Sequence, residues 1–206
     1  DARPDFGTPA GAMALGEGKA CALDSGDNSL TCWGNDNFAG PTTNGFAEIT
    51  VVSIGGDTPA IGDDIPARLK MGDSYALVLS ESGKIYQWGQ TVDQPDIGQG
   101  MHEVQRVNPV PAFFIGAAKN AICYSNDNAV YCRGRFGNLG EANEVFYPVD
   151  AAPTQADIAC GDEHCCIKPG IQSPEVLCWG DNTRGQIGGG GPSSLAAVPV
   201  TIVGGM

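Results

Sequence analysis

Three times along this chain a cysteine is followed, nine to twelve residues later, by a second cysteine standing directly before a Trp-Gly or Arg-Gly step. The three phrases are "CALDSGDNSLTCWG" from Cys21, "CYSNDNAVYCRG" from Cys123 and "CIKPGIQSPEVLCWG" from Cys166. Each brackets a short apolar run, a polar turn-forming stretch and a second apolar run, which is the pattern of a β-hairpin. Directly opposed residues of an antiparallel hairpin have a constant index sum. Pairing Cys21 with Cys32 centres the first hairpin between Gly26 and Asp27, and pairing Cys123 with Cys132 centres the second between Asp127 and Asn128. These residue types tolerate positive φ. Cys166 with Cys178 centres on Gln172, in a longer loop after Pro169 and Gly170. Opposed positions of a non-hydrogen-bonded pair lie within disulfide range. The expected bridges are therefore Cys21–Cys32, Cys123–Cys132 and Cys166–Cys178, each stabilising by roughly 2–3 kcal/mol because the loops are short.

A fourth segment has the same plan without the cysteines. It starts at Gly72, and Leu77 and Gln87 occupy the two cysteine positions. Joint presence in three copies and joint absence in one is what a bonded pair produces. Each copy runs from a Gly through a short strand, a turn, a second strand and the step residue to a Gly-rich loop. The steps fall at Trp33, Trp88, Arg133 and Trp179, intervals of 55, 45 and 46 residues. A period near 50 with paired strands indicates propeller blades rather than a helical solenoid. Thirty Gly and fourteen Pro, short apolar runs and no sustained helical period agree with an all-β chain.

The segments resemble the RCC1 repeat, the blade unit of the regulator of chromosome condensation family, over about residues 10 to 200. "GQIG" at 185–188 and "GNLG" at 137–140 match the end of that family's blade, and His164 matches its histidine position, where Lys19, Tyr75 and Lys119 stand in the other copies. The resemblance implies a single domain over 1–206 with repeats at about 10–45, 66–105, 111–145 and 155–195. The family usually closes seven blades into a ring, and four at this period consume the chain. A partial propeller is expected, an open arc whose uncovered edges need covering by other sequence or by a partner. In that context the Trp side chains at the steps are expected to fill space between blades, and Arg133 is either drift or the mark of a face that meets a partner.

Cys160 and Cys165 remain. They bond to each other around "CGDEHC", or one of them reaches a neighbouring blade. A metal site from Cys160, His164, Cys165 and Cys166 is the competing arrangement, but it lacks the spacings that zinc sites favour, and no metal or other cofactor is expected. All eight cysteines are expected in disulfides, which places the chain in an oxidising space: extracellular, periplasmic or an organelle lumen. The chain starts at Asp1 without a signal-like segment, consistent with a removed targeting peptide or with numbering inside a longer precursor.

Formal net charge is −13, from 24 acidic and 11 basic residues, so nucleic acid and anionic membranes are not expected as partners. The longest apolar run, Val110 to Ala118, contains Pro and Gly and is far too short to span a bilayer. Carboxylates at Asp63–Asp64 and at Asp162–Glu163 beside His164 have no companion nucleophile, and no catalytic residue is expected. "DSGDN" at 24–28 lacks the spacing and closing Glu of a calcium loop.

Two long inter-strand stretches, 41–66 and 90–111, are expected to be loops projecting from a rigid scaffold, where propellers bind partners. The second holds Met101, His102 and Gln105; with Arg133 these are the candidate partner-binding residues. The expected function is a non-catalytic protein-interaction or scaffold module, an accessory subunit of a larger assembly. The alternatives are a secreted proteinaceous enzyme inhibitor, because a β-lactamase inhibitor is built on RCC1-like repeats, and a small-GTPase exchange factor, as in the family's founder.

Overall fold

The computed structural model describes residues 10–16, 18–24, 29–34, 49–53, 64–89, 101–139, 145–154, 157–169, 175–188 and 190–200. Two compact units divide the chain, Asp1–Gln105 and Arg106–Met206. Each contains two four-stranded antiparallel sheets, and no helix occurs among the described residues.

In the first unit one sheet is built from β1 (Ala10–Gly16), β2 (Lys19–Asp24), β3 (Ser29–Gly34) and β4 (Ile49–Ser53), in chain order across the sheet. The other contains β5 (Pro66–Met71), β6 (Tyr75–Ser80), β7 (Ile85–Gly89) and β8 (Met101–Glu103). The second unit repeats the plan with β9 (Phe114–Ala117), β10 (Asn120–Ser125), β11 (Val130–Arg135) and β12 (Tyr147–Pro148), and then with β13 (Asp157–Cys160), β14 (His164–Lys168), β15 (Val176–Gly180) and β16 (Ser194–Val200). Each sheet is a meander of sequential neighbours, and the first strands of the two sheets in each unit pack together, β1 on β5 and β9 on β13.

The registers follow the index sums. Cys21 opposes Cys32, Cys123 opposes Cys132 and Cys166 opposes Cys178. In the copy without cysteines Leu77 opposes Gln87. Both are buried, and Gln87 donates from Nε2 to the Gly89 carbonyl oxygen at 3.2 Å. Stretches 41–66 and 90–111 differ from expectation, because neither is purely a connecting loop. Ile49–Ser53 pairs with β3 and Met101–Glu103 pairs with β7, completing their sheets. "ITVVS" is β-branched and readable as a strand in hindsight, whereas three residues of "MHE" show no period at all.

The step glycines explain the Trp-Gly signature. Gly34, Gly89, Gly134 and Gly180 all have positive φ, between 85° and 116°. A Cβ on Gly180 would stand 2.5 Å from the Glu163 carbonyl oxygen and 2.6 Å from the His164 Cα. The step therefore needs Gly both to turn and to let the preceding strand approach.

The described core of the second unit lies between its two sheets. Cys123, Cys132, Val130 and Phe136 from one side meet Ile158, Cys165, Ile167 and Trp179 from the other. Trp179 is fully buried there, the space-filling role expected of it, while Trp88 is buried and Trp33 half-buried in the first unit. The Trp179 indole Nε1 has no hydrogen-bond partner among the described residues, so its contribution is packing. At Gly116 on β9 a Cβ would stand 2.4 Å from Ile158 Cγ2 and 2.8 Å from Cys160 Sγ, so the two sheets approach more closely there than any side chain would permit.

At the position that His164 holds in its own repeat, Lys19 and Lys119 tie neighbouring sheets together. Lys19 is buried and donates from Nζ to the Asp73 carbonyl oxygen at 2.6 Å. The Lys119 N–H donates to the Asp162 carbonyl oxygen at 2.8 Å. His164 lies against Gly161, whose Cβ would come within 2.5 Å of the imidazole Cε1.

Candidate interaction surface

Three disulfides are described. Cys123–Cys132, Cys160–Cys165 and Cys166–Cys178 have Cα–Cα separations of 4.1, 4.0 and 4.1 Å. Cys21 is also disulfide-bonded and opposes Cys32 in register; the Cys32 side chain lies outside the described residues. The structure chooses between the two options for Cys160 and Cys165, joining them across the β13–β14 pair. Consecutive Cys165 and Cys166 point to opposite faces of β14, so one bonds back to β13 and the other forward to β15. With these sulfurs in disulfides, the set Cys160, His164, Cys165 and Cys166 offers no thiolate to a metal.

Of the carboxylates considered for catalysis, Asp64 has structural partners for its side chain, and at Asp162 and Glu163 the backbone carbonyls accept from the Lys119 and Asp181 N–H groups. Asp63 and residues 25–28 of "DSGDN" lie outside the described residues. Burial by itself would raise the Asp64 carboxyl, but hydrogen bonds from Ser82 and Ser80 and the charge of Lys84 hold it below its ordinary value. Asp64 straps the β6–β7 turn, accepting from the Ser82 hydroxyl and backbone N–H. Asp181 organises the loop after β15. Its carboxylate accepts from Thr183 Oγ1 at 2.6 Å, Gln186 Nε2 at 2.8 Å and Ser193 Oγ at 3.0 Å. The Thr183 hydrogen bond leads in holding this carboxyl below the usual range.

The structure places the candidate partner-binding residues differently from one another. His102 and Gln105 are exposed, His102 on β8 opposite Gln87. Met101 opposes Trp88 in the same strand pair, and its side chain lies outside the described residues. Arg133 is 6% exposed, and its guanidinium carbon sits 5.0 Å over the centroid of the Phe146 ring. It occupies the aromatic position of the repeat by lying on an aromatic ring, a cation–π arrangement that hides the charge.

Sequence reasoning included Val107, Pro109 and Pro111 in the candidate partner-binding stretch 90–111 without singling them out. In the second unit Val107, Pro109, Pro111 and Phe113 are exposed, while the alternating Asn108, Val110 and Ala112 are half-buried or buried. Val107 is 55% and Phe113 38% exposed. The inner positions fasten the ribbon. Arg106 donates from Nη1 to the Val110 carbonyl oxygen at 2.6 Å, and Asn108 accepts from Asn126 Nδ2 at 3.1 Å. Asn108 also donates to the Tyr131 hydroxyl at 3.4 Å, and the Phe113 N–H donates to the Ser125 carbonyl oxygen at 2.9 Å. Behind it Tyr124 stacks on Tyr131 and meets the Phe146 ring edge-on, with centroids at 5.2 and 4.9 Å. The result is an apolar stripe with its backbone already ordered. The letters "VNPVPAF" show no polar–apolar alternation that would mark the outward residues, and the two prolines argue against a paired strand.

Four sheets of one meander plan, each with a positive-φ glycine after its third-strand step residue, decide the fold. The repeats are RCC1-like propeller blades. Over 92% of this chain the structure superposes on yeast RCC1 (Prp20) in its crystal structure with Kap60, with a TM-score of 0.73 and 18% identity, covering 48% of that chain. Human WBSCR16 gives a TM-score of 0.75 with 16% identity over 99% of this chain and 56% of that one. In sequence, the human E3 ubiquitin-protein ligase HERC2 is 26% identical over 149 residues, which is 64% of this chain and 3% of HERC2. The chain thus spans about half the length of these two solved RCC1-like structures and a small fraction of HERC2. No family profile matches the sequence.

A buried phenol in the third blade gives a clean pH test. Burial pushes the Tyr147 phenol up to about 12, and its hydroxyl has no hydrogen-bond partner among the described residues. An unfolded tyrosine ionises near 10. Below that pH both states are neutral and the residue is silent. Above it the unfolded chain loses its proton first, so stability falls as pH rises from about 10 towards 12. Tyr147→Phe removes this loss. Its urea midpoint is expected to match wild type at about pH 9 and to exceed it at about pH 11.5.

Proposed function

We propose that this chain is a non-catalytic protein-interaction module, an accessory subunit that docks through the ordered stripe Val107, Pro109, Pro111 and Phe113. The observation that carries the reading is an apolar ribbon held by hydrogen bonds at Asn108, Val110 and the Phe113 N–H while the side chains of Val107, Pro109, Pro111 and Phe113 face solvent. Such a surface loses little conformational entropy on binding, because its backbone and two of its four contact residues are already fixed. The exposed His102 and Gln105 belong to the first unit and remain separate candidates for contact with a partner. Arg133, being buried, supports the surface from below through Phe146 rather than touching a partner. The solved structure of Prp20 with Kap60 shows an RCC1-like propeller engaged with a protein, which favours a protein partner as the class.

The compartment we propose is oxidising: extracellular, periplasmic or an organelle lumen. Three described disulfides in a unit of about a hundred residues support it. The acidic surface expected from a net charge of −13 disfavours nucleic acid as the partner.

The test is affinity capture from native material under non-reducing conditions with wild type and with the Val107→Asp/Phe113→Asp variant. Both positions are exposed, so folding is expected to survive. A partner recovered with wild type and lost with the variant supports the reading. Equal recovery with both, or a lone monomer with hydrolytic activity, refutes it.

A further inference from the structure

Two disulfides of different blades touch in the core of the second unit. Cys123 Sγ, bonded to Cys132, lies 3.9 Å from Cys165 Sγ, bonded to Cys160. The Sγ atoms of Cys123, Cys160 and Cys165 all lie within 4.8 Å of one another. Cys123, Cys132 and Cys165 are each 0% exposed, whereas Cys160 is partly exposed. Glycine at 116 keeps this gap narrow, since a Cβ there would collide with Cys160 Sγ at 2.8 Å. One bridge is therefore sealed from any reagent in solution, and the other joins the partly exposed Cys160 to the buried Cys165, whose sulfur lies beside the sealed bridge.

From this we infer that Cys160–Cys165 is a thiol–disulfide exchange site for an external dithiol and relays exchange inward to Cys123–Cys132. The dithiol's thiolate attacks Cys160 Sγ, forming a mixed disulfide and breaking the Cys160–Cys165 bond. The electron pair leaves on Cys165 as a thiolate. That thiolate attacks Cys123 Sγ, forms a Cys123–Cys165 bond and releases Cys132 as a thiolate. The second thiol of the reagent then displaces Cys160, leaving the reagent as a disulfide. The two protons of the dithiol end on Cys160 and Cys132. One two-electron equivalent has entered, and two intra-blade bridges have become one bridge between blades. Exchange of this kind requires only a thiolate, a disulfide sulfur within reach and an accessible first sulfur. The inner step is intramolecular, with its reacting atoms already near contact, so it outruns attack by a second reagent molecule.

The experiment treats the oxidised protein with one equivalent of dithiothreitol, traps thiols with N-ethylmaleimide and maps the bridges by non-reducing digestion and mass spectrometry. The expected product carries labels on Cys132 and Cys160 and a Cys123–Cys165 cross-link. Labels on Cys160 and Cys165 with Cys123–Cys132 intact overturn the inference. A second arm follows the labelling of Cys132 in Cys160→Ser/Cys165→Ser, where loss of the relay is expected to slow reduction of Cys123–Cys132 on the order of tenfold. An unchanged rate in a variant that retains the Cys166–Cys178 bridge also overturns it. The mapping of the wild-type protein decides the matter if that variant does not fold.

Discussion

Complete reduction by excess phosphine is expected to unfold the Arg106–Met206 unit at room temperature. Its bridges close loops with sequence separations of 9, 5 and 12 residues. Constraining the unfolded chain in loops of these sizes is worth roughly 2–3 kcal/mol each, about 7 kcal/mol together. A domain's whole stability is typically about 5–15 kcal/mol, so the loss is of the same order as the total. Two sheets whose shared core includes Cys123, Cys132 and Cys165 also lose packed sulfur-sulfur contacts when those atoms become thiols. The sheet β5–β8 provides the internal comparison. Leu77 and Gln87 hold the paired positions there, so reduction leaves its strand pairing untouched. Amide hydrogen exchange without denaturant is expected to show protection lost from β10, β11, β14 and β15 in the reduced protein. An unchanged urea midpoint after verified reduction of all the bridges would show that they contribute nothing to the fold.

The second large effect is expected from Gly180→Ala. Two costs combine at this position. A φ of +113° lies where side-chain-bearing residues are rarely found. The added methyl would also meet the Glu163 carbonyl oxygen at 2.5 Å and the His164 Cα at 2.6 Å, both backbone atoms at the entry to the strand it pairs with. Neither can swing aside as a flexible side chain would. The Gly180–His164 pairing must open, together with the hydrogen bond from the Asp181 N–H to the Glu163 carbonyl oxygen at 2.8 Å. Strain and overpacking each cost about 1–3 kcal/mol, so a loss of about 3 kcal/mol or more is expected. Gly185→Ala separates the two terms. Its φ is +77°, but nothing stands within 4 Å of a Cβ built there. That variant is expected to lose only about 1–2 kcal/mol. Equilibrium urea unfolding of the two variants at fixed pH with the disulfides intact measures both. Equal losses would mean that backbone conformation alone, and not the close strand approach, requires the Trp-Gly step.

Much of the blade was legible because a hairpin is local. Paired cysteines impose one index sum, and Cys123–Cys132 or Cys166–Cys178 then sets every other pairing between those two strands. The glycine after the step residue was legible as a repeated letter, and its positive φ came from the structure. The outer strands were less so. Met101–Glu103 and Tyr147–Pro148 are too short to display a period, and their pairing comes from the sheet they complete. Arg133 shows the limit from the other side. As a letter in the sequence it reads as an exposed charge, and only its position over Phe146 makes it part of the interior.

The sequence by itself determined that the chain forms repeated disulfide-clamped hairpins, since strand register within a hairpin depends on residues about ten apart in the chain. Tertiary structure alone decided that Cys160 bonds Cys165, that this bridge lies 3.9 Å from Cys123, and that Val107 to Phe113 presents an ordered apolar edge. Those facts depend on how one sheet's side chains fill the space left by the next, and that packing is non-local: no spacing along the chain encodes which surfaces will meet.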